Sequence, residues 1–173
     1  MTVIETARLR LRWLRAEDAA FILELQTDPD FIANIGDRGV HDLESARRYI
    51  EEGPGASYQR CGFGLYLVEL KQTAAALGMC GLLRRDSHPD VEIGFALLPQ
   101  ARRRGYALEA ATATLQFGLS KLGLRRIVAI TAPENAASIR ILERAGLKFE
   151  RLVHFAPGGG ESRLFVLEVS AAT

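Results

Sequence analysis

The sequence predicts an α+β chain: a mixed, mostly antiparallel sheet with a parallel strand pair at its centre and helices on both faces, a three-layer α/β arrangement. Three observations carry this. Residues 63–70, 77–83 and 91–98 are short apolar or alternating runs divided by polar breaks, the pattern of an antiparallel meander. After Pro99 the apolar period lengthens, with Leu108, Ala111, Leu115, Leu119 and Leu122 three or four apart on one helical face. Residues 127–131 then read as a buried strand, so strand, helix and strand form a right-handed crossover whose two strands run parallel.

Taken in order, the chain opens with an alternating strand. Leu9, Leu11 and Trp13 fall on one side and Arg8, Arg10 and Arg12 on the other. A helix is predicted over 17–27, with Glu17 and Asp18 in its first turn and Pro29 just past its end. Another begins at Asp42, whose carboxylate can cap free amides. Leu43, Ala46 and Ile50 share a face before Gly53, Pro54 and Gly55 break the pattern. The three meander strands follow, the last preceded by the polar break 85–90. Gly123 ends the long helix, and a last helix over 136–145 stops at Gly146. Strands near 149–155 and 163–169 flank a turn at Pro157-Gly158-Gly159-Gly160. With no repeat, low-complexity tract or linker in 173 residues, 1–173 reads as one domain.

Composition narrows the function. Lys and Arg number 22 against 21 Asp and Glu, a net charge of +1 that offers no overall field for nucleic acid or an anionic membrane. Two cysteines make no disulfide framework and no thiolate metal site, and Cys80, inside an apolar run, reads as core. His41, His88 and His154 are too dispersed for a metal site, so none is expected. No apolar run reaches membrane-spanning length and no basic-then-apolar leader opens the sequence, which sets a cytoplasmic location as the expectation.

The chemistry concentrates where a strand passes through a basic, glycine-containing loop into a helix, at residues 91–110. The first amides of a helix have no partner inside it and carry the positive end of its dipole, so such a junction binds phosphate. Gly105 lets backbone approach an anion, and Arg102, Arg103 and Arg104 add charge. By themselves three arginines in a turn are a solvated patch; their surroundings point further. Arg102-Arg103-Arg104-Gly105-Tyr106-Ala107 resembles the acetyl-coenzyme A loop of the GNAT N-acetyltransferases: arginine or glutamine, two residues, glycine, one residue, then glycine or alanine. The resemblance extends to Arg8-Leu9-Arg10-Leu11-Arg12, to Gly105-Tyr106-Ala107-Leu108-Glu109-Ala110, and to the run from Asn135 to Leu147. The combination is most similar to the branch of Rim-type ribosomal-protein N-terminal acetyltransferases.

That resemblance implies a GNAT-like acyl-CoA N-acyltransferase fold, acetyl-CoA as cosubstrate, and direct attack of an amine in a ternary complex. It implies that backbone amides from Arg102 to Ala107 hold the pyrophosphate. Phe95, Leu97 and Leu98 would lend backbone groups to the pantetheine arm between splayed parallel strands, with Asn135 and Ser138 also at the cofactor. Transfer needs a neutral amine, donors for the tetrahedral oxyanion and a proton for the leaving thiolate. Glu92, on one strand face with the small Gly94 and Ala96, is the candidate base; its structural alternative is an ion pair with a nearby arginine. Many members carry an acidic tyrosine seven residues after the asparagine, but Leu142 stands there. Ser138, where the Rim-type branch has a serine thought to bond the coenzyme sulfur, is the substitute. Its structural alternative is the third position of a helix capped by Asn135. Tyr106 reads as a packing or cofactor-contact residue.

The acceptor is expected between residues 28–41 and the final hairpin, where Asp28, Asp30, Asp37 and Glu161 would favour a cationic amine. The first expectation is the α-amine of a protein or peptide. The alternatives are a small amine (polyamine, amino acid or aminoglycoside) and a module that binds acyl-CoA without turnover. Nucleic acid binding through the scattered arginines is disfavoured by the acids between them. The family often forms homodimers, which admits a second copy as a partner.

Overall fold

The computed structural model describes residues 1–154 and 160–169. The expected turn at Pro157-Gly158-Gly159 and the strand end at Phe155 lie outside the described residues. The alternating opening forms β2 (Leu9–Trp13), and a strand not anticipated from sequence, β1 (Thr2–Glu5), pairs antiparallel with it at the sheet edge. The predicted meander is β3 (Leu65–Leu70), β4 (Ala76–Arg84) and β5 (Val91–Leu97), antiparallel throughout. Then come β6 (Arg126–Thr131), β7 (Lys148–Val153) and β8 (Ser162–Glu168), giving the sheet order β1-β2-β3-β4-β5-β6-β8-β7.

Helices cover both faces, as predicted. On one face lie α1 (Ala19–Gln26), α2 (Pro29–Ile35) and α3 (Leu43–Ile50), which bury Ile22, Leu25, Phe31, Ala46 and Ile50 against Leu67 and Met79. On the other lie α5 (Tyr106–Ser120) and α6 (Ala136–Arg144), burying Ala110, Ala111, Leu115 and Leu142 against Val91, Ile93 and Ile127. Between α3 and these, α4 (Ala56–Cys61) packs by stacking Tyr58 on Trp13 and Tyr66.

Three helical details depart from the sequence reading. Pro29 lies just past the end of α1, as expected, but it also starts a further helix, α2, at a first-turn position, with Asp28 as the cap accepting from the Phe31 amide at 3.2 Å. The predicted start at Glu17 is a short 3₁₀ turn, Ala16–Asp18, ahead of α1. The Gly53-Pro54-Gly55 run does not break the chain into loop. It forms a wide π-type turn, Glu51–Gly55, that carries α3 into α4, because longer-range bonding bypasses the donor that Pro54 lacks. Among the described residues, no helix is long and apolar enough to cross a membrane.

One feature of the sheet positions the site. The parallel strands β5 and β6 pair only at Val91↔Ile127 and Glu92↔Val128, although β5 continues to Leu97 and β6 to Thr131. They therefore diverge beyond Glu92 and leave a slot. Arg126 pins the closed end: its guanidinium reaches Asp90 at 3.1 Å, Glu150 at 3.0 Å and Glu168 at 3.4 Å, tying four segments together.

Candidate active site

The peptide groups of β5 have two directions in which to bond. Leu98 donates to Leu77 at 2.8 Å, so the groups of Ala96 and Gly94, in step with it, face β4, while those of Ile93, Phe95 and Leu97 face the slot. Phe95 and Leu97 are thus presented where the resemblance expects pantetheine, whereas the Leu98 amide is already bonded within the sheet. The Leu97 carbonyl is also engaged, by the Arg102 Nε at 3.1 Å.

The loop from Arg102 to Ala107 leads from the open end of the slot into α5. The amides from Arg103 through Leu108 have no acceptor among the described residues; the first helical bond of the segment is Glu109 to the Gly105 carbonyl at 3.0 Å. Arg103 (φ 60°) and Gly105 (φ 78°) both adopt left-handed backbone, a conformation that turns successive N–H groups into a concave anion cradle. A non-glycine residue held there costs about 1–3 kcal/mol, strain that persists only where neighbours enforce it.

Those neighbours are found. The Arg8 backbone amide donates to Glu109 Oε1 at 3.0 Å, its Nε to Oε2 at 2.7 Å, and its Nη1 to the Arg104 carbonyl at 3.0 Å. The same guanidinium covers the Tyr106 ring, 4.6 Å from its centre. Thr6 donates its hydroxyl to Glu109 at 2.6 Å. Burial pushes the Glu109 carboxyl up, but the Thr6 hydroxyl and the Arg8 amide and guanidinium outweigh it and hold the carboxyl below its ordinary value. The two sequence segments Arg8–Arg12 and Gly105–Ala110 are thus halves of one clamp, which places Tyr106 in packing against Arg8. A shallow groove of about 560 Å³ runs beside this clamp along α5 to Arg144.

Arg102 departs most from what the sequence suggested. Its guanidinium binds Asp28, at 2.5 Å, and Asp30, and its Nε the Leu97 carbonyl, so three of its N–H donors are committed to the protein. The brace ties the loop to the start of α2 and to β5. Asp28 and Asp30 are thereby paired with Arg102, and Asp37 Oδ1 accepts from the Gly39 amide at 2.7 Å. Arg103, Arg104 and Gly105 are exposed.

Glu92 is 6% exposed, at the last paired rung before the slot opens, on the α1–α3 side of the sheet. Its Oε2 accepts from Arg85 Nε at 2.6 Å and lies 3.4 Å from His88 Nε2, so the ion pair named as its structural alternative exists. The room expected beside Gly94 is narrowed by Leu83 and Leu65, whose methyl carbons lie 3.3 and 3.6 Å from where a Cβ would sit. Asn135 caps α6 by accepting from the Ser138 amide at 3.1 Å, and the half-buried Ser138 hydroxyl has no partner among the described residues. Leu142, 1% exposed, is a core residue packed with Leu147 and Ile127. Cys80 is core too, its thiol pushed up to about 12 by burial. Among the described residues no His, Cys, Asp and Glu cluster could hold a metal.

Sequence reading missed α2, the Arg102 brace and the Arg8–Glu109 clamp. The Asp28-Pro29 pair was a legible cap signal for α2. The other two depend on contacts between segments distant in sequence.

A slot between diverging parallel strands, opening onto a cradle of free amides at a helix start, defines a protein built to seat an extended ligand with an anionic end, as an acyl-coenzyme A has. Residues 8–148 match the family described as acetyltransferase (GNAT) domain, and the chain belongs to that family. It is an acetyl-CoA-dependent acetyltransferase, whose acceptor is an amine. The uncharacterized Bacillus subtilis protein YkkB is 30% identical over 161 residues, covering 88% of each chain. A GNAT-family acetyltransferase from Bacillus anthracis superposes with a TM-score of 0.81 at 27% identity, over 97% of this chain and 98% of that one. The same fold, at lower identity, is seen in a ribosomal-protein-S5-alanine acetyltransferase from Vibrio fischeri (16%, TM-score 0.79, 97% and 96% covered). It is also seen in a spermidine N-acetyltransferase from Vibrio cholerae (18%, TM-score 0.73, 94% and 95% covered).

Proposed function

We propose that this chain moves the acetyl group of acetyl-CoA onto the α-amine of a protein or peptide, the cofactor lying in the slot between β5 and β6. The observation that carries the donor side is the row of acceptorless amides from Arg103 to Leu108 at the slot's open end, with two left-handed residues curving it. These amides take the pyrophosphate, and the slot-facing peptide groups of Phe95 and Leu97 take the pantetheine. The neutral amine attacks the thioester carbon; its C–N bond forms as the C–S bond breaks, and the thiolate takes a proton by way of the Ser138 hydroxyl. The ammonium proton leaves to water on the Glu92 side.

Two points support an α-amine as acceptor. Freeing it of its proton at neutral pH costs about 1.1 kcal/mol, against about 4.6 kcal/mol for a lysine-like amine. That suits a site whose candidate base already has one carboxylate oxygen committed to Arg85. A polyamine needs carboxylates for its remote ammonium groups, and Asp28 and Asp30 are bound by Arg102.

The test is calorimetric titration with acetyl-CoA of the natural chain and of Gly105→Trp, both shown folded, followed by turnover of peptide N-termini and small amines. Binding lost in the variant and turnover of peptides are expected. No binding by the natural chain overturns the donor site; turnover of polyamines alone overturns the acceptor.

A further inference from the structure

Gly78, inside β4, is buried and stands in register with Leu97, at the end of β5 that borders the slot. A Cβ here would lie 2.2 Å from the Ala96 carbonyl oxygen and 2.8 Å from the Leu97 Cα, both backbone atoms, and 2.4 Å from Leu97 Cδ2. The Gly78 backbone is not left-handed, so contact alone excludes a side chain. Glycine inside a strand marks a bulge or a close backbone approach, and here both are present. On the β3 side Val68 pairs with Gly78 and Glu69 with Ala76, which leaves Leu77 as the extra residue of a bulge. On the β5 side the ladder runs on unbroken, with Leu98 donating to Leu77 at 2.8 Å.

β5 is therefore drawn close against β4 at the level where it has parted from β6. Its last rung with β6 is Glu92↔Val128, whereas its ladder with β4 continues to Leu97. A side chain at position 78 could be accommodated only by moving backbone, since the 2.2 Å approach has to open to 3.0 Å or more. Beyond Glu92 the free direction for β5 is across the slot, where no ladder with β6 opposes it. The slot-facing peptide groups of Phe95 and Leu97 would travel with the strand.

We infer that Gly78 is a positioning residue for the donor site: by yielding its side-chain space to the backbone of Ala96 and Leu97, it lets β5 stand off from β6 and sets the width of the slot. The same strand carries the control. A Cβ at Gly81 would lie 2.0 Å from the Gly64 carbonyl oxygen and 2.7 Å from the Leu65 Cα, at the start of β3 and away from the slot. The two glycines are equally tight and differ in which neighbour a side chain would displace. This assignment rests on the slot as the seat of acetyl-CoA.

The experiment measures acetyl-CoA affinity by calorimetry, and kcat and KM for acetyl-CoA with a peptide acceptor, in the natural chain, Gly78→Ala and Gly81→Ala. Both variants should melt at a lower temperature, since both overpack the sheet. Gly78→Ala should also lose about ten- to a hundredfold in kcat/KM for acetyl-CoA, through KM and with a matching loss of affinity, the scale on which a misplacement of about 1 Å is felt. Gly81→Ala should bind acetyl-CoA as the natural chain does. A chain that is merely destabilised loses kcat with its folded fraction and keeps its affinity. If either variant is partly unfolded, the comparison is made in sucrose, which favours the compact state. Equal affinities in the two variants, or a Gly78→Ala chain that stays unfolded in sucrose, overturn the inference and leave the glycine a purely structural part. Absence of acetyl-CoA binding by the natural chain overturns the slot reading itself.

Discussion

Replacing Arg102 by methionine keeps the aliphatic stem and removes the guanidinium that joins loop, strand and helix. Three contacts are lost. Asp28, whose side chain is 10% exposed, loses a charged hydrogen bond at 2.5 Å, about 1.5–3 kcal/mol. Asp30, 68% exposed, contributes about 0.2–1 kcal/mol after solvent screening. The Leu97 carbonyl, bonded at 3.1 Å, adds about 1 kcal/mol. Contacts through one group are not additive, so the expected loss is about 2–4 kcal/mol, which in a chain of this size lowers the melting temperature by about 4–16 °C. Urea unfolding of Arg102→Met, Asp28→Asn and the double variant isolates the pair, with an expected coupling of about 1.5–3 kcal/mol. Acetyl-CoA titration completes the test: as a strut, Arg102 should matter less to affinity than Arg103 and Arg104 together. A coupling under about 0.5 kcal/mol, with affinity falling more in Arg102→Met than in Arg103→Met/Arg104→Met, would refute the strut.

Three further outcomes are expected. Glu109 has a carboxyl held below its ordinary 4.5, so its stabilisation is complete above that pH and is lost as pH falls through the lowered value. The melting-temperature gap between the natural chain and Glu109→Gln should be widest near neutrality and close below about pH 4. Ser138→Ala should lower kcat at saturating acetyl-CoA by about tenfold or more while leaving cofactor affinity unchanged, and an unaltered kcat removes the hydroxyl from the proton path. Leu142→Tyr should not supply the family's acid: at a 1% exposed core position the larger side chain is expected to cost about 1–3 kcal/mol in urea unfolding, without a rise in turnover.

The parts of the fold written in local pattern were legible. Alternation gave β2 and the meander, the long helical period gave α5, and the glycines at 105 and 146 marked turns that both have positive φ. The parallel pair followed from handedness and connection length alone. What escaped were features decided by partners far along the chain. β1 is four residues long and is held by β2, not by its own pattern. Pro54 reads as a breaker until Tyr58 is seen stacked between Trp13 and Tyr66, an anchorage that makes continuing the helix worthwhile. The site divides the same way. A row of amides is a property of a strand–loop–helix junction and can be read from sequence. Which arginine is tied into the fold cannot, because Arg102, Arg103 and Arg104 are equivalent until Asp28 and Asp30 claim the first.

The slot depends on holding one end of β5 and β6 shut while keeping the other apart. At the shut end Arg126 gathers Asp90, Glu150 and Glu168, so the strands meet at Val91 and Glu92. At the open end the Leu97 carbonyl accepts from Arg102 Nε, and the same guanidinium binds Asp28 ahead of α2, so that carbonyl is engaged by the loop. The Arg8–Glu109 pair holds the far side of the same loop through the Arg104 carbonyl. Arg8 and Arg102 are thus bonded to the protein at the two sides of the loop, while Arg103 and Arg104 are exposed. The basic cluster is divided: one residue is tied into the fold and two stand at the surface.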